Sequence, residues 1–438
     1  MTQKEGPGPR NVAIVGPYSS GKTTLLESLL YVSQTITRTR RVEEVGMRGN
    51  ARTEARNRTM NVRLKAATDE DGGICFTFVD CPGLGDVQLE TDNVLMGVDA
   101  AIVVCEADPH RVLTLAPLLQ FLDSWEIPHL IWINKMDRAA ASFQEVLEAL
   151  KTVSTRPILP QQYPIREDQN LVGFIDLITE QAYHYHPDAP ADAVPIPAEL
   201  KAQEQAARDE MLEALADFDD HLLEELLEDI DPPQAEIVGD LKQDLGADLI
   251  VPVLFGIATA DFGPRPLWQA LVKEAPAATV TAEKRGLEEA ADEPLAQVPK
   301  TFYTHQGGKL SLVRVWQGSL ADGDSLNGDR MGGLYRLMGQ QTNTVSRAEA
   351  GDIVAVARLT QVQTGDTLTP QATPSVTLPT AERLEPVYAL AIVPEQRSDE
   401  VKLTEALNKL KDEDPSLRWE QHGDTHEVIL WGQGEVHL

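Results

Sequence analysis

The sequence predicts a multidomain α/β protein. A doubly wound, mainly parallel sheet domain carries a phosphate-binding loop and an inserted α/β subdomain. A small β-barrel and an incomplete α+β domain of ferredoxin-like type follow it. Three observations predict this. The apolar strand "NVAIV" runs into the Gly-rich "GPYSSGKTT" and then the apolar-periodic helix "LLESLLYVS", the order of strand, loop and helix that a phosphate loop requires. Further apolar strands, "ICFTFVD", "DAAIVVCEA" and "HLIWINK", alternate with helical patterns such as "VLTLAPLLQFLDSW", which indicates a sheet covered on both faces. Beyond residue 298 the pattern changes to short strands broken by Gly/Asp turns, the signature of a small barrel.

In chain order, residues 1–277 read as the doubly wound domain. It is interrupted at about 156–250 by a segment holding the strand-like "GFIDLIT", a Pro/Ala/Asp-rich loop at 187–198 and two acidic helical stretches. "LIVPVLFGIA" then resumes the sheet and "RPLWQALVKEAP" closes it. The polar, apolar-poor 278–297 reads as a linker. Residues 298–370 read as the barrel, the Pro/Thr-rich 371–384 as a second linker, and 385–438 as the α+β domain. That last segment gives strand, helix, strand, strand and stops at "GEVHL", where a second helix is expected to start.

At 438 residues the length fits about three domains. "MTQKEGPGPR" has no apolar secretory stretch, and no run of roughly 18 apolar residues occurs. A soluble, cytoplasmic protein with no membrane partner is therefore expected. Cys75, Cys81 and Cys105 lie in or beside apolar runs without metal-ligand spacing and read as reduced core residues. The net charge of −31 argues against a general nucleic-acid coat, DNA included. The charge is uneven: residues 201–250 hold 16 Asp/Glu against 3 Lys/Arg, a net of −13, whereas residues 1–65 hold 12 Lys/Arg against 5 Asp/Glu, a net of +7. The basic run comprises Arg38, Arg40, Arg41, Arg48, Arg52, Arg56, Arg58, Arg63 and Lys65. It reads either as a solvated loop or as a contact for phosphate, from nucleotide or RNA.

Three short motifs carry chemistry. In Gly16-Pro17-Tyr18-Ser19-Ser20-Gly21-Lys22-Thr23-Thr24, the glycines let the backbone curl so that its N–H groups point at a β-phosphate, and the following helix adds positive charge. Lys22 is expected to bridge β- and γ-phosphate oxygens, and the Thr23 hydroxyl to bind Mg²⁺. In "DCPG", Asp80 is expected to hold a Mg²⁺-bound water and the Gly83 N–H to meet the γ-phosphate. In "NKMD", Asp137 would accept from guanine N1–H and the 2-amine, Lys135 would lie across the base and Asn134 would brace the loop. A buried acceptor of this kind rejects adenine, so GTP/GDP is the expected nucleotide.

These motifs in this order, followed by the barrel's "GKLSLVRVWQGSLADGDSL" and "AGDIVAVARL" and then "ALNKLKDEDPSLRW" and "WGQGEVHL", resemble the translational GTPases, elongation factor G most closely. The resemblance covers almost the whole chain. It implies a P-loop GTPase domain that hydrolyses GTP to GDP and phosphate, and a monomer whose partner is the ribosome, ribosomal RNA included. It places the basic run in the switch segment beside the nucleotide. No stretch corresponds to that family's later domains, so translocation is not expected of these residues alone.

The sequence departs from the resemblance at three places. Leu84 stands where the family's water-positioning His follows Gly83. In the switch segment "RTMNV" Thr59 and Asn61 are the candidates for the family's Mg²⁺-binding Thr, with Asn61 at the matching position; its amide oxygen is still a ligand for a hard cation. The base-edge loop, usually Gly-Ser-Ala, is Gly256-Ile257-Ala258, in which the Ala258 N–H is expected to meet guanine O6. Leu84 opens a second reading, a GTP-gated ribosome-binding paralogue with little or no hydrolysis. A signalling GTPase outside translation is a third, disfavoured by the barrel.

Overall fold

The computed structural model describes residues 8–36, 59–63 (backbone alone), 74–83, 88–168, 170–186, 189–287, 293–304, 308–338, 341–394, 396, 399–423, 427–435 and 437–438. The chain forms two compact units. One comprises Met1–Gly49, Val62–Cys75 and Asp99–Val280, and the other Asn50–Asn61, Phe76–Val98 and Thr281–Leu438.

The first unit is built on five parallel strands: β1 (Arg10–Val15), β4 (Ala100–Glu106), β5 (His129–Asn134), β11 (Val251–Phe255) and β6 (Ile158–Pro160), adjacent in that order. All residues of β1, β5 and β11 are buried. These strands therefore read as continuous apolar runs rather than alternating ones, because helices cover both faces. The connections include α1 (Lys22–Val32), α4 (Ala116–Ser124), α5 (Phe143–Val153) and α9 (Pro264–Glu274). A capping box starts α5: the Ser142 hydroxyl accepts from the Glu145 N–H, and the Glu145 carboxylate accepts from the Ser142 N–H. This satisfies two otherwise orphaned donors.

After β6 the chain leaves the main sheet for an antiparallel one, β7 (Gln162–Glu167), β8 (Asn170–Asp176), β9 (Gln181–His186) and β10 (Ala189–Val194), in the order β10-β9-β8-β7. Helices α6 (Lys201–Ala216), α7 (Asp220–Leu227) and α8 (Gln234–Ala247) then pack around Met211, Leu215, Leu222, Ile237, Leu241 and Leu245. The stretch expected to be a Pro/Ala/Asp-rich loop thus contains β10. As an edge strand it bonds on one side only, so Pro190 removes no bond that the sheet interior needs. Ile158–Pro160, within the expected insertion, belongs to the main sheet through β11.

The expected linker 278–297 contains a helix, Ala278–Lys284, with Ala278 and Ala282 buried, and the first residues of a strand. Two buried alanines one turn apart supply an apolar stripe too small to stand out in a polar sequence.

In the second unit, strands β12 (Leu295–Tyr303), β13 (Lys309–Gln317), β20 (Ile353–Ala357), β17 (Leu334–Met338), β18 (Gln341–Val345) and β21 (Thr367–Leu368) pair antiparallel in the order β21-β12-β13-β20-β17-β18. Two short pairs complete this barrel-like domain: Ser319–Ala321 with Arg347–Glu349, and Ser325–Leu326 with Asp329–Arg330. Its core is Val298, Val313, Val315, Leu320, Leu334, Val354 and Val356. Helix α2 (Gln88–Leu95) is tied to β12 by an ion pair between Glu90 and Lys300.

The last segment forms β22 (Tyr388–Ile392), α11 (Glu400–Glu413), β23 (Arg418–Gln421) and β24 (Val428–Gly432), with sheet order β22-β24-β23. Leu407 of α11 packs with Leu417 and Leu430. Among the described residues, no helix is long and apolar enough to cross a membrane. The three cysteines form no disulfide, Cys81 and Cys105 being buried and Cys75 half-buried.

Candidate nucleotide site

Because the strands of the main sheet run parallel, the loops after β1, β5 and β11 leave from the same edge, where doubly wound sheets bind ligands. The loop after β1 curls as its glycines require. Gly16 has φ +134°, and a Cβ there would lie 2.2 Å from the Val104 carbonyl oxygen of β4. Gly21 has φ +97°, and a Cβ there would lie 2.3 Å from Asn134 Nδ2. Both positions exclude side chains by space as well as by backbone angle. Ser19 also takes a left-handed conformation, at φ +63°. Gly21 caps α1 without a side-chain hydrogen bond, and the first turn carries no acid. The helix N-terminus is therefore an electropositive end open to an anion. The Lys22 ammonium folds back over the loop, 2.9 Å from the carbonyl oxygens of both Gly16 and Pro17. Tyr18 at the loop tip is exposed.

Asn134, at the end of β5, is buried and joins two loops. Its Nδ2 donates to the Ser20 carbonyl at 2.9 Å, and its Oδ1 accepts from the Ala258 N–H at 3.1 Å. The Ala258 N–H, expected to meet the base, is thus directed at Asn134. An amide is suited to this position because it offers a donor and an acceptor on one rigid plane.

Lys135 takes a left-handed conformation, at φ +58°. Its ammonium donates to the Ser19 carbonyl at 2.6 Å and pairs with Glu106. Glu106 in turn holds Arg111 at 2.7 Å. Asp137 is exposed beside Arg138, 3.5 Å away.

The loop after β11 is equally constrained. A Cβ on Gly256 would lie 2.1 Å from the Phe262 carbonyl oxygen and 2.6 Å from the Trp132 ring. The Gly256 N–H donates to Ile133 and its carbonyl accepts from the Met136 N–H. Ile257 and Phe262 exchange backbone hydrogen bonds at 2.8 and 3.2 Å, and the Ser28 hydroxyl of α1 donates to the Ala258 carbonyl at 2.9 Å. Order that a hydroxyl at position 257 would provide is thus supplied from elsewhere. Arg166 of β7 donates to the Met136 carbonyl at 3.2 Å, so the inserted sheet braces the Asn134–Asp137 loop.

The supporting residues Glu106, Ser28 and Arg166 are not apparent from sequence motifs. Only Glu106 leaves a signal, as an acid at the carboxyl end of an apolar strand.

Asp80 ends strand β3 (Cys75–Asp80), which lies mostly in the second unit. The turn through Pro82 and Gly83 is held to α2 by the Thr91 hydroxyl, which donates to the Pro82 carbonyl at 3.3 Å. Burial pushes Asp92 on α2 up to about 6, against the hydrogen bond from Gln88. Asn61 lies in strand β2 (Thr59–Arg63), whose Met60 pairs with Met338 of β17. Leu84 lies outside the described residues, as does the basic run except for the backbone at Arg63.

A glycine cradle at an uncapped helix N-terminus, with an Asn-Lys-x-Asp loop bound to it on a doubly wound sheet, defines the class of P-loop nucleotide-binding proteins. Residues 8–277 match the family described as "Elongation factor Tu GTP binding domain", and the chain belongs to it. Residues 294–371 match "Elongation factor G domain 2", and residues 384–438 match "Elongation Factor G, domain III".

Similar curated proteins include an elongation factor G-like protein of Synechocystis, 57% identical over 98% of this chain and 64% of that protein. Elongation factor G of Fervidobacterium nodosum is 30% identical over the same shares. A crystal structure from Thermus thermophilus superposes with a TM-score of 0.84 at 30% identity, covering 99% of this chain and 65% of that one. The chain thus spans about two-thirds of the length of the relatives it matches.

Proposed function

We propose that this chain is a translational GTPase: a cytoplasmic, monomeric protein that binds GTP and GDP with Mg²⁺, hydrolyses GTP to GDP and phosphate, and works on the ribosome, in contact with ribosomal RNA. The observation that carries the nucleotide reading is Asn134, which fastens the phosphate loop to the Gly256–Ala258 loop in a single buried side chain. Membership of the family, with similarity to elongation factor G across 98% of the chain, supports the ribosomal partner.

Backbone N–H groups from Tyr18 to Thr24 donate to the phosphates at the α1 N-terminus. Lys22 moves from the Gly16 and Pro17 carbonyls to the β- and γ-phosphate oxygens. The cradle fits the phosphates because a Cβ at Gly16 or Gly21 would collide with its walls. Asp137 accepts from guanine N1–H and the 2-amine, Lys135 lies along the base, and Gly256, Ile257 and Ala258 form its edge.

The hydroxyl of Thr23, the carboxylate of Asp80 and the amide oxygen of Asn61 are hard oxygen donors of the kind Mg²⁺ takes. Mg²⁺ would neutralise charge building on the phosphates. The Gly83 N–H donates to the γ-phosphate.

A second reading is favoured by Leu84: GTP-gated ribosome binding with little turnover, since a hydrocarbon cannot orient water. Losing a water-orienting group costs about 10²–10⁴-fold in rate. GTP turnover with and without purified ribosomes, for the parent and for Leu84→His, separates the readings. Ribosome-stimulated turnover by the parent supports the enzyme. GTP binding by the parent with turnover only in Leu84→His supports the switch without its own off-step. Failure of the parent to bind GTP at all refutes both.

A further inference from the structure

The inserted subdomain carries a cluster that the nucleotide reading does not use. His221 and Glu225 lie one turn apart on α7, and Glu236, Asp240 and Asp244 lie on successive turns of α8, spacings that put each set on one helix face. The ligand atoms of His221, Glu225 and Glu236 all fall within 4.8 Å of one another. His221 Nδ1 is 2.8 Å from Glu236 Oε1.

Asp219 caps α7, accepting from the His221 and Leu222 N–H groups at 2.7 and 3.1 Å, and so fixes the position of His221. Asp244 is only 2% exposed, and its Oδ2 has no hydrogen-bond partner; Glu225 Oε2 and Asp240 Oδ2 are buried and unpartnered as well. Among the described residues, none of these carboxylates pairs with a lysine or arginine. Buried carboxylates are ordinarily paired with a cation or bound to a metal.

We infer that the α7–α8 face is a divalent transition-metal site of the Zn²⁺ class, with His221, Glu225 and Glu236 as ligands and Asp240, one turn along α8 from Glu236, adding negative field beside them. One imidazole nitrogen among carboxylates selects Zn²⁺ or Co²⁺ over Mg²⁺ and Ca²⁺, which prefer all-oxygen ligand sets. Binding displaces the His221–Glu236 hydrogen bond and releases protons, because the imidazole must be neutral at the ligating nitrogen. The inference is independent of what occupies the phosphate loop.

The test is isothermal titration of the full chain with Zn²⁺ near neutral pH, repeated in buffers of different ionisation enthalpy to read the protons released. The expected result is one saturable Zn²⁺ site with proton release, weakened by at least about tenfold in His221→Ala and in Glu236→Gln, since loss of even an outer partner of a metal ligand costs that much. Mg²⁺ at the same concentration should not compete. His221 is exposed at the helix surface, so His221→Ala should keep the parent's circular dichroism and nucleotide affinity. His221→Gln provides a second variant should the first fold poorly. Undiminished Zn²⁺ affinity in the folded variants, competition by Mg²⁺, or no saturable Zn²⁺ binding would each overturn the inference.

Discussion

At Gly16 a methyl group would have to enter the space of the Val104 carbonyl oxygen, 2.2 Å away, and backbone atoms cannot rotate aside as a side chain can. Gly21 faces Asn134 Nδ2 instead, a side chain with a little freedom. Gly16→Ala is therefore expected to lower stability by about 1–3 kcal/mol, measured by urea unfolding, and to abolish nucleotide binding. Gly21→Ala is expected to unfold nearer the parent's midpoint while still losing the nucleotide; equal destabilisation by the two would contradict this.

Glu274 is a second residue whose environment sets its behaviour. Buried at the end of α9 and accepting from Gln161 Nε2 at 2.7 Å, its carboxyl is pushed by burial from 4.5 up to about 7. A raised carboxyl pKa means that the folded state holds the proton more tightly. Its stabilising contribution is complete below pH 4.5 and is lost as pH rises through about 7. The full swing is on the order of 3 kcal/mol. Glu274→Gln, which keeps the hydrogen-bonding shape, should flatten this part of the pH–stability profile between pH 4.5 and pH 8 and stabilise the protein at pH 8. An unchanged profile would show that Glu274 is already ionised in the fold.

At the scale of elements, the phosphate loop, the Asn134–Asp137 turn and the Gly256–Ala258 turn each end a buried parallel strand and are cross-tied by side chains from elsewhere. Asn134 spans the first and third, Ser28 of α1 grips the third, and Arg166 of β7 reaches the second. Within the second unit, an analogous tie joins the barrel to the last domain. The Tyr303 hydroxyl donates to Asp412 at 2.7 Å and its backbone N–H to Glu413 at 2.7 Å. Lys309 lies 3.4 Å from Asp412, and the Lys409 ammonium is 5.7 Å from the Tyr303 ring centre. Tyr303→Phe removes one charge-assisted hydrogen bond and is expected to cost about 1.5–3 kcal/mol. Hydrogen exchange should report it as faster opening of α11 with little change in β13; uniform protection loss across the barrel would instead mean that Tyr303 supports the barrel core.

For the whole molecule, the fold class was legible in the sequence because its signals are contiguous. An apolar strand followed by a 3.6-period helix defines each βα unit locally, a Gly-rich loop marks the first, and Gly/Asp turns mark the barrel strands. Less legible were β10 and the helix Ala278–Lys284. Their pairing and burial come from partners distant in sequence, and their own composition is polar or rich in Pro and Ala. The same division runs through the candidate site. Gly16, Lys22, Asn134 and Asp137 announce themselves by motif, whereas Glu106, Ser28 and Arg166 do not, since what matters about them is which distant backbone atom they reach.

Residue order therefore settles which side chains are on offer: a Gly-rich loop at the end of an apolar strand, the carboxylate of Asp137, the oxygens of Thr23, Asp80 and Asn61, and a hydrocarbon at position 84. These are properties of side-chain type and short spacing. Tertiary structure alone settles that the Ala258 N–H turns to Asn134, that the Glu274 carboxyl is buried against Gln161, and that His221 meets Glu236 across two helices. Each depends on bringing together groups between 15 and 124 positions apart in the chain, and only packing of the apolar core does so.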